Sequence, residues 1–174
     1  MILVQRSLYL LNSARFFTLA SQCAGDTPWA STVNYVPLFN PLRLVWYSMN
    51  SARHSRNIGL CAEVSGSLFR YDMQETSPLG LDGAQFTGSA REIPQNECEH
   101  IHQDYYRLNF PDVSERARWQ LPLHEFYGDS PLRFYELLIG DWWLLDIEGW
   151  LQTKEDRRVP VDLSQLVVPK SEAS

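Results

Sequence analysis

The sequence predicts a mainly β domain, a β-barrel of six or seven antiparallel strands with helices. Three observations predict it. Apolar residues alternate with other residues over several short segments, which is the period of a strand with a buried face. Glycine, proline, asparagine and aspartate punctuate the chain between these segments, as turns require. The predicted helices are short, and this favours an antiparallel barrel over alternating parallel βα units.

In the first half of the chain, the spacing of Leu3, Leu8 and Leu11 predicts a helix over residues 3–12. Three strands and a short helix follow before the middle of the chain. The predicted strands span 15–21, 29–37 and 42–48, with a Gly25-Asp26-Thr27-Pro28 turn, an Asn40-Pro41 turn and a helix over 51–58.

In the second half, two longer strands flank a loop whose Ser77-Pro78-Leu79-Gly80 is typical of turns. Two helices and a closing hairpin around Gly140-Asp141 complete the predicted domain. The predicted elements are strands at 60–71 and 84–93, helices at 97–108 and 114–120, and hairpin strands at 132–138 and 142–147. We expect residues 1–150 to form the domain and residues 151–174 an extended tail.

Composition limits the classes of function. A chain of 174 residues with 44% hydrophobic residues is most simply one globular domain. A net charge of -6 argues against a nucleic-acid partner, because binding to a phosphate backbone needs a concentrated basic surface. No apolar stretch reaches the ~20 residues of a membrane span. Cys23, Cys61 and Cys98 follow no metal or disulfide spacing, so we expect reduced thiols and a cytoplasmic protein.

The segment from Tyr47 to Ile58 has the composition of a phosphate site. It lies where an alternating strand ends and a helix begins, and Asn50 or Ser51 is the expected N-cap. Backbone N–H groups at a helix start, together with Arg53, His54 and serine hydroxyls, are suited to a phosphorylated ligand. The alternative is a solvated helix face without a ligand.

A second cluster, Glu97, Glu99, His100 and His102, invites comparison with a metal site. On a helix, however, residues i and i+2 point to different faces, and metal-binding pairs need the spacing i, i+4. We therefore expect no metal site.

Four segments occur in an order that resembles the pyridoxamine 5′-phosphate oxidase-like, FMN-binding split-barrel superfamily. Tyr47, Ser48, Arg53 and Ile58 are in step with its phosphate motif. The other three segments resemble its opening hairpin, the strand after the phosphate helix and a "Gln-x-x-Gly" strand. They are residues 16–37, residues 60–68 and Gln85-Phe86-Thr87-Gly88-Ser89-Ala90-Arg91. The match covers residues 14–93 well and the remainder only in outline.

The resemblance implies an FMN-binding split β-barrel that forms a homodimer with each flavin at the interface. The phosphate would be held at the start of the 51–58 helix, the second strand would line the ring and ribityl chain, and Gln85 would hydrogen-bond the flavin from one of the two subunits. The implied cofactor-binding residues are Thr32, Val33, Asn34, Tyr35, Tyr47, Ser48, Arg53, His54 and Gln85.

The implied function is that of an FMN-dependent oxidoreductase acting on an unidentified small molecule, with no catalytic residue assigned. The alternative is a non-catalytic carrier of flavin or haem with the same fold, and a third possibility is a deazaflavin or no cofactor. Two departures separate the chain from the oxidases. His54 stands where they have lysine, and the segment Asp141–Asp146 differs from their closing segment, so pyridoxamine is not implied as substrate.

Overall fold

A computed structural model describes residues 2–23, 25, 27–74 and 76–166. The predicted turn residue Asp26 and positions 167–174 of the predicted tail lie outside the described residues. The strands are β1 (Phe16–Ser21), β2 (Trp29–Asn34), β3 (Val36–Leu38), β4 (Arg43–Met49), β5 (Glu63–Arg70), β6 (Asp82–Glu92), β7 (Leu132–Leu145) and β8 (Arg158–Pro160). The α-helices are α1 (Leu3–Ser13), α2 (Arg53–Leu60), α3 (Cys98–Asn109), α4 (Val113–Trp119) and α5 (Ile147–Thr153).

The strands form one antiparallel sheet whose order is β2-β1-β5-β6-β7-β4-β3, with β8 paired to β7. β2 and β3 lie at opposite ends of this order, yet Tyr35 alone separates them in sequence. The sheet therefore curls until its two edges meet. From Tyr35 the chain pairs with β4 in one direction and with β1 in the other, so a split opens between β2 and β4. The predicted mainly β split barrel is confirmed.

Aromatic and aliphatic side chains fill the barrel interior. The rings of Phe86 and Trp142 stack at 5.3 Å, and Phe17 meets the edge of Trp46 at 5.6 Å. Helix α1 closes one end of the barrel, because its Leu10 and Leu11 are fully buried in the same core. Burial of this apolar surface supplies the main stabilisation of the domain.

Helix α3 covers the outer face of β3, β4 and β7. Its Ile101 and Tyr105 are buried there with Val45 and Phe134. This second core places the C-terminal end of α3, and α4 after it, beside the split between β2 and β4.

The predicted closing hairpin at 132–147 is wrong, because one strand of 14 residues spans most of it. Thr87 pairs with Asp141 and Gly88 with Ile139, so Gly140 is an extra residue on β7. Gly140 also lacks a positive φ angle. The glycine therefore marks a β-bulge, which bends a strand, rather than a turn. The strand is continuous because it pairs with β4 along its first half and with β6 along most of its length.

Two further expectations need correction. The N-cap of α2 is Ala52 rather than Asn50 or Ser51, because the chain forms a turn over 50–52 before the helix begins. Residues 151–166 do not form an extended tail, because they include the last turn of α5, which ends at Thr153, and the eighth strand of the sheet, β8. Val161 and Leu166 then pack into the barrel core. Burial of these two side chains explains why the segment returns to the sheet.

Candidate functional site

A cleft of about 490 Å³ lies in the split between β2 and β4. β2 supplies one wall, the end of β4 supplies the other, and α3 and α4 border the opening. The lining residues are Arg15, Phe16, Thr32, Val33, Asn34, Tyr47, Ser48, His54, Tyr105, Asn109, Phe110 and Trp119. This set contains one arginine and one histidine but no aspartate or glutamate. The cleft is therefore suited to an anionic ligand, although the chain as a whole is acidic.

The start of α2 forms one end of the cleft. Its first turn holds Arg53 and His54 and no acidic residue, and no side chain caps its N–H groups. A positive side chain such as Arg53 at a helix N-terminus opposes the helix dipole, by about 0.3–1 kcal/mol. A bound anion at this end would offset that repulsion and would accept hydrogen bonds from the uncapped N–H groups.

His54 is the most distinctive residue at this end. Its side chain is buried, with the residue 8% exposed, and its Nδ1 lies 3.1 Å from the Ser31 hydroxyl. Its Nε2 is fully buried and has no hydrogen-bond partner among the described residues. Burial lowers the pKa of the imidazole, so the ring is neutral near pH 7. A buried polar atom without a partner is unfavourable, and a ligand in the cleft would satisfy it.

Arg53 is directed away from the cleft. Its guanidinium carbon lies 4.7 Å from the centre of the Trp29 ring, and its Nη2 donates to the hydroxyl and carbonyl oxygens of Thr27. These contacts hold Arg53 against the connection between β1 and β2. At the phosphate end of the cleft, Arg53 thus contributes its backbone N–H, whereas its side chain is engaged elsewhere.

A closed set of hydrogen bonds forms the other end of the cleft. Asn34 Nδ2 donates to the Arg15 carbonyl at 2.7 Å, Asn109 Nδ2 donates to Asn34 Oδ1 at 2.6 Å, and Arg15 Nη2 donates to Asn109 Oδ1 at 2.9 Å. The hydroxyl of Tyr105 also donates to Asn34 Oδ1, at 2.7 Å. The ring of contacts joins the residue before β1 to the ends of β2 and α3, so it fixes the geometry of this end.

The structure brings most of the predicted site residues together. Thr32, Val33, Asn34, Tyr47, Ser48 and His54 all line the cleft. Tyr35 does not, because its side chain is buried in the barrel and its hydroxyl donates to the Leu11 carbonyl. Gln85 lies on the outer face of β6, beside Thr18, Ser67 and Trp143. The binding roles of these residues remain predictions.

Sequence reasoning did not identify Ser31, which contacts His54. Ser31 lies within the opening hairpin, but it alternates with the predicted residue Thr32 and faces the opposite side of β2. Sequence reasoning also missed the cleft residues that come from outside the opening motifs. Tyr105, Asn109, Phe110 and Trp119 are more than 70 residues from Asn34 in sequence. Nothing local connects them with β2, and only the packing of α3 on β4 brings them to the split.

No family model and no curated protein matches this chain. Solved structures do resemble it. A haem-binding protein from Mycobacterium smegmatis superposes with a TM-score of 0.65 at 17% identity, over 94% of this chain and 59% of that protein. This chain thus spans less than two thirds of that protein's length.

Two further solved structures have similar agreement. An FAD- and haem-binding protein from Mycobacterium smegmatis has a TM-score of 0.63 at 17% identity, over 90% of this chain and 81% of that one. A pyridoxamine 5′-phosphate oxidase candidate from Listeria innocua has a TM-score of 0.56 at 17% identity, over 83% and 99%. Among the described residues, no helix is long and apolar enough to span a membrane. The superpositions show that the chain has the split-barrel fold of the pyridoxamine 5′-phosphate oxidase-like and FAD- and haem-binding proteins.

Proposed function

We propose that the cleft between β2 and β4 binds FMN, with the phosphate at the start of α2. The observation that carries the proposal is the buried, unpartnered Nε2 of His54 beside an uncapped helix start. If the Ser31 hydroxyl donates to Nδ1, the neutral ring carries its proton on Nε2 and donates it to a phosphate oxygen. Ser48 adds a hydroxyl at the same end of the cleft.

The isoalloxazine ring would lie along β2, against Thr32 and Asn34. When bound, the flavin supplies the redox chemistry, and the residues of this chain bind it and orient it. We propose that the protein is an oxidoreductase acting on a small molecule. A carrier that holds the flavin without turnover is distinguished by anaerobic photoreduction followed by mixing with oxygen or nicotinamide donors, since a carrier would not accelerate donor oxidation.

We also propose that the protein acts as a homodimer in the cytoplasm. Thr32, Thr18, Ser67, Gln85 and Trp143 form one row across the outer face of β2, β1, β5, β6 and β7. This face is contiguous with the cleft through Thr32. A second copy seated on it would bring its Gln85 toward the neighbouring cleft, as the family resemblance implies. The three cysteines are free thiols, which supports a reducing compartment.

Comparison of FMN with riboflavin tests the proposal. Equilibrium dialysis should give tighter binding of FMN, because riboflavin lacks the phosphate. His54→Gln should remove much of this preference. His124→Gln is the matched control, because the exposed His124 side chain lies outside the cleft. Equal affinity of the wild-type protein for FMN and riboflavin would rule out the phosphate site.

A second candidate, haem binding, is favoured by the state of the same histidine. If Nδ1–H instead donates to the Ser31 hydroxyl, Nε2 is unprotonated, and this neutral tautomer is the form that ligates iron. Titration with haem distinguishes the candidates. If haem is the cofactor, the spectrum of a histidine-ligated haem should form with the wild type and His124→Gln, and His54→Gln should abolish it, while FMN and riboflavin bind equally weakly.

A further inference from the structure

The Arg15 end of the cleft has unused binding capacity. Arg15 Nη2 makes the hydrogen bond to Asn109 Oδ1 described above, and its guanidinium carbon lies 5.9 Å from the centre of the Phe110 ring. Among the described residues, neither Nε nor Nη1 has a hydrogen-bond partner, and no carboxylate forms an ion pair with Arg15. The guanidinium is thus held in place with part of its donor edge available to a ligand.

The surroundings of Arg15 are aromatic and carry no negative charge. Phe110 and Trp119 line the same cleft, and Trp119 is 55% exposed at the end of α4. No residue of α4 is buried, so the indole of Trp119 owes its position to the cleft margin rather than to a core. Aromatic rings of this kind stack on flat ligands, and an arginine without a counter-ion binds a carboxylate through two parallel hydrogen bonds.

We propose that this end of the cleft is a subsite for a planar aromatic carboxylate. Arg15 binds the carboxylate, and Phe110 and Trp119 contact the ring. The inference rests on the proposed function and deepens it, because it names the class of small molecule that shares the cleft with the flavin. The closed hydrogen-bond set of Arg15, Asn34 and Asn109 orients the guanidinium before the ligand arrives, which lowers the entropy lost on binding.

The alternative role of Arg15 is purely structural. Its Nη2 also approaches the main-chain oxygen of Asn109 at 3.4 Å, so its charge favours the C-terminal end of α3 through the helix dipole. This role requires a positive charge near Asn109 but gives no reason for a ligand to discriminate between charged and neutral groups. The two roles therefore differ in ligand selectivity rather than in stability.

A pair of probes of equal shape tests the subsite. Binding of 2-naphthoate and of neutral 2-naphthamide is measured by calorimetry, and FMN affinity is measured separately on each variant. We expect the wild-type protein to prefer naphthoate by about 10- to 100-fold, the range of a charge-assisted hydrogen bond. Arg15→Gln should lose this preference and lose much less FMN affinity than naphthoate affinity, whereas Trp119→Ala should weaken both probes alike.

Arg118→Gln is the matched control, because Arg118 packs on the Trp119 ring but does not line the cleft. It should keep the preference for naphthoate. If Arg15→Gln does not fold, Arg15→Lys replaces it and should reduce the preference several-fold, because lysine lacks the planar fork. Four results would each overturn the subsite: binding of neither probe, a preference retained in both Arg15 variants, an equal loss in Arg118→Gln, or a loss of FMN affinity in Arg15→Gln that matches the loss of naphthoate affinity. A failure of FMN to bind the wild type would instead count against the proposed function alone.

Discussion

The pH dependence of FMN affinity gives the sharpest test of His54. In the free protein, burial lowers the pKa of its imidazole below the ordinary value of 6.5, so the ring is neutral at pH 7. A phosphate against Nε2 favours the imidazolium and raises the pKa of the ring in the complex. FMN binding should therefore take up a proton in the window between the pKa of the free protein and the pKa of the complex. Affinity is highest at acid pH and is lost as pH rises through the pKa of the complex.

The size of the effect follows from the geometry. Opposite unit charges about 4 Å apart attract by about 4 kcal/mol at an effective dielectric constant near 20. Desolvation of the buried ring, which already lowers its pKa, opposes part of this attraction. The attraction exceeds this opposition, so the pKa of His54 rises when FMN binds, and the same amount of free energy is lost from FMN binding as pH rises through the pKa of the complex. We expect FMN affinity to fall several-fold between about pH 6 and pH 8.

Fluorescence titration of FMN across this range measures the slope. His54→Gln keeps a donor near the position of Nε2 but does not titrate, so its affinity should be flat above about pH 7, where the second ionisation of the phosphate is nearly complete. Riboflavin should bind with no such slope in either protein. If wild type and His54→Gln lose FMN affinity in parallel as pH rises, another group is responsible and the phosphate does not contact His54.

Three predictions concern stability. Because the pKa of His54 is lowered in the folded state, the unfolded chain binds more protons, and the free energy of unfolding of ligand-free wild type should fall as pH drops below about 6.5. Urea unfolding should show a smaller fall for His54→Gln, and equal falls would contradict the burial argument. Asp82→Asn should reduce the free energy of unfolding by about 3–5 kcal/mol, because it leaves Arg6 buried without its partner, which lies at 2.8 Å. A loss below about 1 kcal/mol would show that water reaches this pair. Gly88→Ala should lower stability by about 1–3 kcal/mol, since a Cβ there would overlap the Leu138 carbonyl oxygen, whereas Gly59→Ala meets nothing within 4 Å and should be neutral or stabilising.

The sequence predicted the local elements well where periodicity was strong. Helix α1 and strands β1 and β4 are within one residue of their predicted bounds, because alternating or helically spaced apolar residues record which face is buried. The bend in β7 was misread because a Gly-Asp pair is typical of turns and of bulges alike. Only the pairing of β7 with two neighbouring strands separates the two, and that pairing is a long-range property.

The residues of the candidate site likewise differ in whether the sequence predicts them. The β2 and β4 residues and His54 belong to contiguous motifs, so their proximity was predictable from the family resemblance. The direction of Arg53 was not, because its contacts with Trp29 and Thr27 join two segments that are distant in sequence. No local sequence pattern identifies Arg15 or Trp119 as site residues. Each is an exposed residue near the end of a helix, and only the fold brings it beside the split.

The single residue between β2 and β3 limits how the cleft can move. Two consecutive steps of about 3.8 Å keep the Cα atoms of Asn34 and Val36 within about 7 Å of each other, whatever the rest of the sheet does. The two walls can therefore separate only as a fan that pivots at Tyr35, which is itself fixed by the bond from its hydroxyl to Leu11. Displacement grows with distance from the pivot. The Arg15 end stays nearly constant in width, and the His54 end is where the cleft widens to admit a ligand.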